Sequence, residues 1–125
     1  MLALFDLGPY DDAYGPRADR VKELIWRMAG QVTDLGHDSV LDWSQWSRSA
    51  REDARGRAEA LGADVVLHYV EAPLAVVEER LSERNAKPLA GVHQIDFVDL
   101  RRFAADLFEP PTSDEGMPVV SERPA

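Results

Sequence analysis

Apolar positions along the chain switch between two periods. Val21, Leu24, Ile25, Met28, Ala29, Val32 and Leu35 recur at three- and four-residue spacing. That predicts a helix with one face that must pack, and Gly36 stands where a left-handed C-cap belongs. Ahead of it lie a short apolar opening, Met1 to Leu7, and a turn-rich stretch, Gly8 to Pro16. After the turn Gly36 to Asp38, the pattern predicts a compact strand, Ser39 to Trp43. Ser47 and Ser49 then compete as N-caps, Ser49 with Glu52 fitting a capping box. The helix they open should run to about Leu61 and close at Gly62. Asp64 to Val70 is a β-branched run of the kind found in buried parallel strands. Pro73 suits the first turn of another helix, whose Leu74, Val77 and Leu81 share a face. Pro88 and Gly91 mark Ala86 to Ile95 as a loop. Asp96 can cap a last helix carrying Phe97, Leu100, Phe103, Ala104 and Leu107, which Pro110 and Pro111 stop. The remaining tail is polar apart from Met117 to Val120, a candidate short last strand.

Helices alternating with strands predict an α/β domain with a parallel sheet. Two firm strands are too few for one, because a buried parallel strand needs neighbours on both edges and helices on both faces. The expectation is therefore an incomplete sheet, either finished by another chain or belonging to a sequence that starts partway through a domain.

Composition narrows the function. The 125 residues are 45% hydrophobic and 30% charged, as in an ordinary globular domain. A net charge of -9 excludes a general nucleic-acid or anionic-membrane surface, although a local basic cluster can still hold one phosphate. The absence of cysteine excludes disulfides, thiolate catalysis and Cys-ligated zinc. His37, His68 and His93 are scattered without metal-ligand spacing. No apolar run is long enough to span a bilayer, so a cytoplasmic protein is expected.

The most specific stretch is Ser39 to Arg48, SVLDWSQWSR. An apolar strand ending in Asp42 has the form of a Walker B-like position. An acid there faces the ligand crevice of an open α/β sheet and can hold Mg²⁺ or orient a substrate hydroxyl. A Trp-Ser-Arg turn follows, then ALGADVVLHYVEAPL, EERLSERN and LFEPP. In this order and spacing the chain, from Met1 to about Glu115, resembles the bacterial AAA-type "predicted kinase" ATP-binding proteins. These are allied to the zeta-toxin and chloramphenicol phosphotransferase branches of the P-loop kinases.

The resemblance implies a P-loop kinase-like parallel sheet with flanking helices, binding ATP and Mg²⁺ and transferring a phosphoryl group to a small molecule. It assigns residues 1–115 to the partial domain, with a lid at about 86–95, and residues 116–125 to a tail. Asp42 matches the acid that organises Mg²⁺ or the acceptor. Arg48, from the Trp-Ser-Arg turn, matches a substrate- or phosphate-binding position. Arg80 and Arg84, in RLSERN, match catalytic lid arginines that reach the transferring phosphoryl group, and Asn85 closes that motif. The segment Phe108 to Pro111 leads toward the last strand and adenine contacts. Members of the group open with a strand, a G-x-x-x-x-G-K-[ST] loop and its helix, and no such motif occurs in these 125 residues. The loop's amides and lysine neutralise the phosphates. The chain alone is therefore expected to be inactive, a sequence beginning at an internal methionine. The alternatives are a non-catalytic remnant that binds a protein partner or itself through its incomplete sheet, and one half of a split kinase.

Each residue also has a plainer reading. Asp42 can cap a turn, Arg48 can be a surface charge at a helix start, and Arg80 and Arg84 can pair with Glu79 and Glu83 on a solvated helix face. Trp43 and Trp46 read as packing residues.

Overall fold

The computed structural model describes residues 7–8, 10–87 and 92–123. Their order is α1 (Tyr14–Asp34), α2 (Arg48–Ala60), β1 (Leu67–Val70), α3 (Leu74–Ala86), α4 (Phe97–Arg102), a π turn (Phe103–Leu107) and β2 (Val119–Glu122). The described residues form a mixed α/β fold with one small two-stranded parallel sheet. The chain divides into two compact units, Met1–Val40 with Glu83–Ile95, and Leu41–Ser82 with Asp96–Ala125.

In the first unit, α1 begins seven residues before the apolar periodicity that predicts it. Asp11 explains the early start: its carboxylate accepts from the Ala13 amide at 2.9 Å and its carbonyl from Tyr14 at 2.8 Å. Gly15 and Pro16, read from sequence as turn residues, lie within the first helical turn, where proline's missing N–H has no intrahelical partner to lose. At the other end, Gly36 takes φ +78°, its N–H donates to Thr33 O at 2.8 Å, and His37 N–H donates to Val32 O at 3.2 Å. This is a Schellman closure, and it satisfies carbonyls the helix would otherwise leave open. The expected lid leaves α3 at Ala86. Asn85 Nδ2 donates to Ile95 O at 2.7 Å, so one side chain ties the loop's two ends. The His93 ring meets Tyr14 edge-on at 5.6 Å. The lid's residues 88–91, and residues 1–6 of the apolar opening, lie outside the described residues.

In the second unit, the competition between serines resolves in favour of Ser47. Its hydroxyl accepts from Ala50 N–H at 3.2 Å, and the Ser49–Glu52 capping box does not form because Ser49 already lies inside α2. Gly62 (φ +72°) closes α2 as Gly36 closes α1, with Gly62 N–H to Glu59 O at 2.9 Å and Ala63 N–H to Ala58 O at 3.0 Å. Pro73 sits one residue ahead of α3, its carbonyl accepting from Val76 and Val77. Asp96 caps α4 as expected, accepting from Asp99 N–H at 2.7 Å. The last helix then widens to i→i+5 bonding at the π turn, where Phe108 N–H reaches Phe103 O.

The strands depart most from expectation. Ser39–Trp43 forms no strand; it is an irregular segment in which Val40 is 91% exposed. The other run is a strand over Leu67–Val70 only, where β2 lies beside it in parallel, with Leu67 opposite Val119 and Val70 opposite Glu122. Leu67 N–H donates to Pro118 O and Glu71 N–H to Glu122 O, both at 2.9 Å. The physical reason is shared. Strand geometry holds only where a neighbour takes the backbone N–H and C=O groups. Among the described residues, β1 has such a neighbour on one edge, for four residues, and Ser39–Trp43 has none. The buried parallel strand expected there is instead half-exposed, with His68 and Val70 turned to solvent.

Gly62 has open space where a side chain would go, so its cost on substitution is backbone strain alone. Gly62→Ala should destabilise the chain by about 1–2 kcal/mol, the penalty of a left-handed non-glycine residue, read as a lower urea midpoint with unchanged m-value.

Candidate functional site

The N-terminal end of α2 is where the second unit concentrates its charge. Helical geometry leaves the first N–H groups of α2 without intrahelical partners, and the helix dipole makes that end favourable for carboxylates. Ser47 takes the Ala50 N–H, and the Glu109 carboxylate takes the Arg48 N–H at 2.6 Å. Pro110 favours an extended Glu109 and cannot donate itself, which presents the Glu109 backbone to its neighbours. Glu109 N–H donates to Trp46 O at 2.8 Å, and the Trp46 ring meets Phe103 at a tilt of 38°, centroids 5.4 Å apart.

Arg51, one turn into α2, is the centre of the cluster. It is 2% exposed, and Glu115 is 3% exposed. Nε donates to Glu115 Oε2 and Nη2 to Glu115 Oε1, each at 2.7 Å, a bidentate fork. Nη1 reaches three carbonyls, Glu109 at 2.9 Å, Gln45 at 3.1 Å and Trp46 at 3.2 Å. Glu115 Oε1 also accepts from Thr112 N–H at 3.1 Å across a turn that Gly116 leaves with φ +74°. The fork with Arg51 lowers the Glu115 carboxyl to about 2 against the opposing push of burial, and raises the Arg51 guanidinium above its usual range.

Arg48 lies at the rim. Its guanidinium donates to Glu52 at 2.9 Å, Asp114 at 3.1 Å and Thr112 Oγ1 at 3.4 Å, and the first two of these contacts hold its pKa up. Asp114 is held below the usual carboxylate range first by the Thr112 hydroxyl at 2.6 Å and then by Arg48. These exposed pairs are screened by salt, unlike the Arg51 fork.

The structure gathers one of the four sequence-derived candidates into this cluster. Asp42 stands on the irregular segment before α2, exposed, and not at the end of a strand; Arg48's acidic partners are Glu52 and Asp114 rather than Asp42. Arg80 and Arg84 lie one turn apart on α3, both exposed. Sequence reasoning missed Arg51 and Glu115. The signal available was the three-residue step from Arg48 to Arg51 on the first turn of α2; nothing local identified Glu115 as its partner, 64 residues on.

Among the described residues, no group of three His, Asp or Glu side chains is placed to hold a metal ion. A Mg²⁺ at Asp42 would have to take its remaining ligands from phosphate and water. A phosphate cradle is built from a glycine-rich turn that opens a helix. The left-handed glycines described here do otherwise: Gly36 and Gly62 close helices, and Gly116 sits against Arg55. The described residues by themselves do not fit Mg²⁺-ATP.

Breaking a buried ion pair from one side leaves its partner charged in a dry site, at a cost of about 3–5 kcal/mol. Arg51→Met should therefore destabilise the chain by about that amount in urea titration, whereas Arg48→Ala should shift the midpoint far less. The Glu115 carboxyl falls from its ordinary 4.5 to about 2 on folding. Its contribution is fully present above pH 4.5 and is lost as pH falls toward 2. Stability measured across that window should drop, and Glu115→Gln should remove that part of the pH dependence.

No curated protein matches the chain, and no solved structure matches it. Residues 2–107 match the family described as "AAA domain", a P-loop NTPase-like, kinase-related group, and β2, Glu109 and Glu115 fall beyond the matched span. With 106 of its 125 residues in that match, the chain belongs to the AAA domain family.

Proposed function

We propose that this chain is a kinase-like member of the AAA domain family, allied to the zeta-toxin and chloramphenicol phosphotransferase branches. Its lineage activity is ATP-dependent phosphoryl transfer to a small molecule, and these 125 residues alone do not perform it. The observation that carries the reading is the family match over residues 2–107, set beside a sequence with no G-x-x-x-x-G-K-[ST] motif.

The roles are those that the family resemblance implies. Asp42 is the acid offered to Mg²⁺ or the acceptor hydroxyl. Its exposure on an irregular segment leaves it free to meet a ligand. Arg80 and Arg84, exposed on successive turns of α3, supply positive charge for a transferring phosphoryl group. Arg48 binds on the substrate side, and a phosphate there would have to compete with Glu52 and Asp114 for its guanidinium. The lid is the loop from Ala86 to Ile95, whose ends Asn85 ties together.

A second reading, a protein-interaction module, is favoured by the sheet. Among the described residues, β1 has a strand neighbour on one edge, and Val66 just before it and Val70 at its end are 49% and 59% exposed. An exposed apolar strand edge is a template for pairing with another chain, whether a separate protein, a second copy or the other half of a split kinase.

Calorimetry with Mg-ATP on the 125-residue chain, paired with a thermal melt, tests the first reading. We expect no binding heat and no change in Tm. Micromolar binding with a raised Tm would show that the chain holds nucleotide unaided and would overturn its assignment as incomplete for catalysis.

A further inference from the structure

We propose that residues 109–123 form a strap that opens and closes as one unit, with the Arg51–Glu115 fork as its latch. The strap is the stretch from the double proline through β2, and its attachment is polar rather than apolar. Val120 is 42% exposed, Met117 and Val119 are only half-buried, and Glu115 is the one strap residue that is fully buried. What holds it is a set of bonds to α2 and β1.

The arrangement of those bonds makes opening concerted. One guanidinium ties the first part of the strap: Arg51 Nη1 holds the Glu109 carbonyl at its start, while Nε and Nη2 hold Glu115 six residues on. Arg51 simultaneously holds Gln45 O and Trp46 O, so the segment entering α2 and the strap share one anchor. At the far end, the ladder from Leu67 to Pro118 and from Glu71 to Glu122 seats β2 on β1. Glu115 does not leave cheaply by itself, because its departure strands the buried Arg51 guanidinium without its carboxylate. Once the fork parts, what remains is the short β1–β2 ladder, the Glu109 bonds to Trp46 O and Arg48 N–H, and ion pairs that are exposed. Arg48–Asp114, His68–Glu122 at 3.2 Å and Arg123–Glu71 at 2.9 Å are all in contact with solvent. Releasing the strap therefore also takes from β1 the neighbour that makes it a strand. The sheet of the second unit is a latched state of the chain, governed by one charge pair.

Native-state hydrogen exchange on the full chain tests this. In the unaltered protein, the amides of Leu67, Glu71 and Glu109 should share one opening constant, larger than that of amides in the middle of α2. Glu115→Gln should raise that shared constant on the order of 10²-fold while the middle of α2 stays protected. Arg48→Ala should raise it less than about tenfold. Raising NaCl to 1 M should change it little, since a buried pair is poorly screened. Three independent opening constants in the unaltered chain would overturn the proposal without recourse to any variant. So would a Glu115→Gln protein in which the middle of α2 exchanges as fast as the strap, because the fork would then be a general core contact. Opening by salt, or by Arg48→Ala as strongly as by Glu115→Gln, would move the latch to the rim pair and overturn it equally.

Discussion

A charged side chain cannot be taken out of water unless everything around it answers for the charge, and Arg51 imposes that constraint on the second unit. Its guanidinium is buried, always protonated and planar, so it demands a bidentate carboxylate on one side and carbonyls on the other. Glu115 supplies the first, and Glu109, Gln45 and Trp46 supply the second. Those acceptors come from three places in the sequence. Satisfying one residue therefore fixes the path of the chain before α2, the extended prolyl segment after the π turn, and the turn that leads into β2. Such a pair adds little net stability over a well-packed apolar substitute, yet it tolerates no half-measure. That asymmetry suits a contact that specifies an arrangement.

The apolar contribution in this chain is small by comparison. Among the described residues, the buried apolar ones are Ala29 and Leu81, while Leu35, Val40 and Val98 are at least 75% exposed. Apolar sequence alone does not bury itself; it needs a facing layer. β1 is a strand for the four residues over which β2 pairs with it, and the Ser39–Trp43 segment, equally apolar in pattern, stays irregular without such a partner. An exposed edge beside Val66 and Val70 follows from the same cause.

The candidate site inherits both facts. The family match sets the chain among P-loop NTPase-like, kinase-related domains, and Asp42, Arg80 and Arg84 occupy exposed positions. The charge that is organised, however, is organised internally. Arg48 and Arg51 face carboxylates from residues 109–115, and the N-terminal end of α2 receives Glu109. A helix end with two arginines is where an anion is welcome, and here the chain's own acids fill that role.

By itself the sequence determined what local chemistry decides. Gly36 and Gly62 end their helices because only glycine enters the left-handed region cheaply. Asp96 opens α4 because its carboxylate finds the third amide on, and Pro110 follows the last helical turn because it cannot continue one. The helices α1 to α4 were legible for that reason, to within a few residues except at the start of α1, where Asp11 began the helix earlier than any apolar period could signal. Tertiary structure decided everything that needs a distant partner. It denied Ser39–Trp43 a strand and so moved Asp42 off a strand end, and confined β1 to the length of β2. Above all it joined Arg51 to Glu115 across 64 residues. No periodicity reports such a pair, because its energy depends on burial, and burial is a property of the assembled unit rather than of either residue.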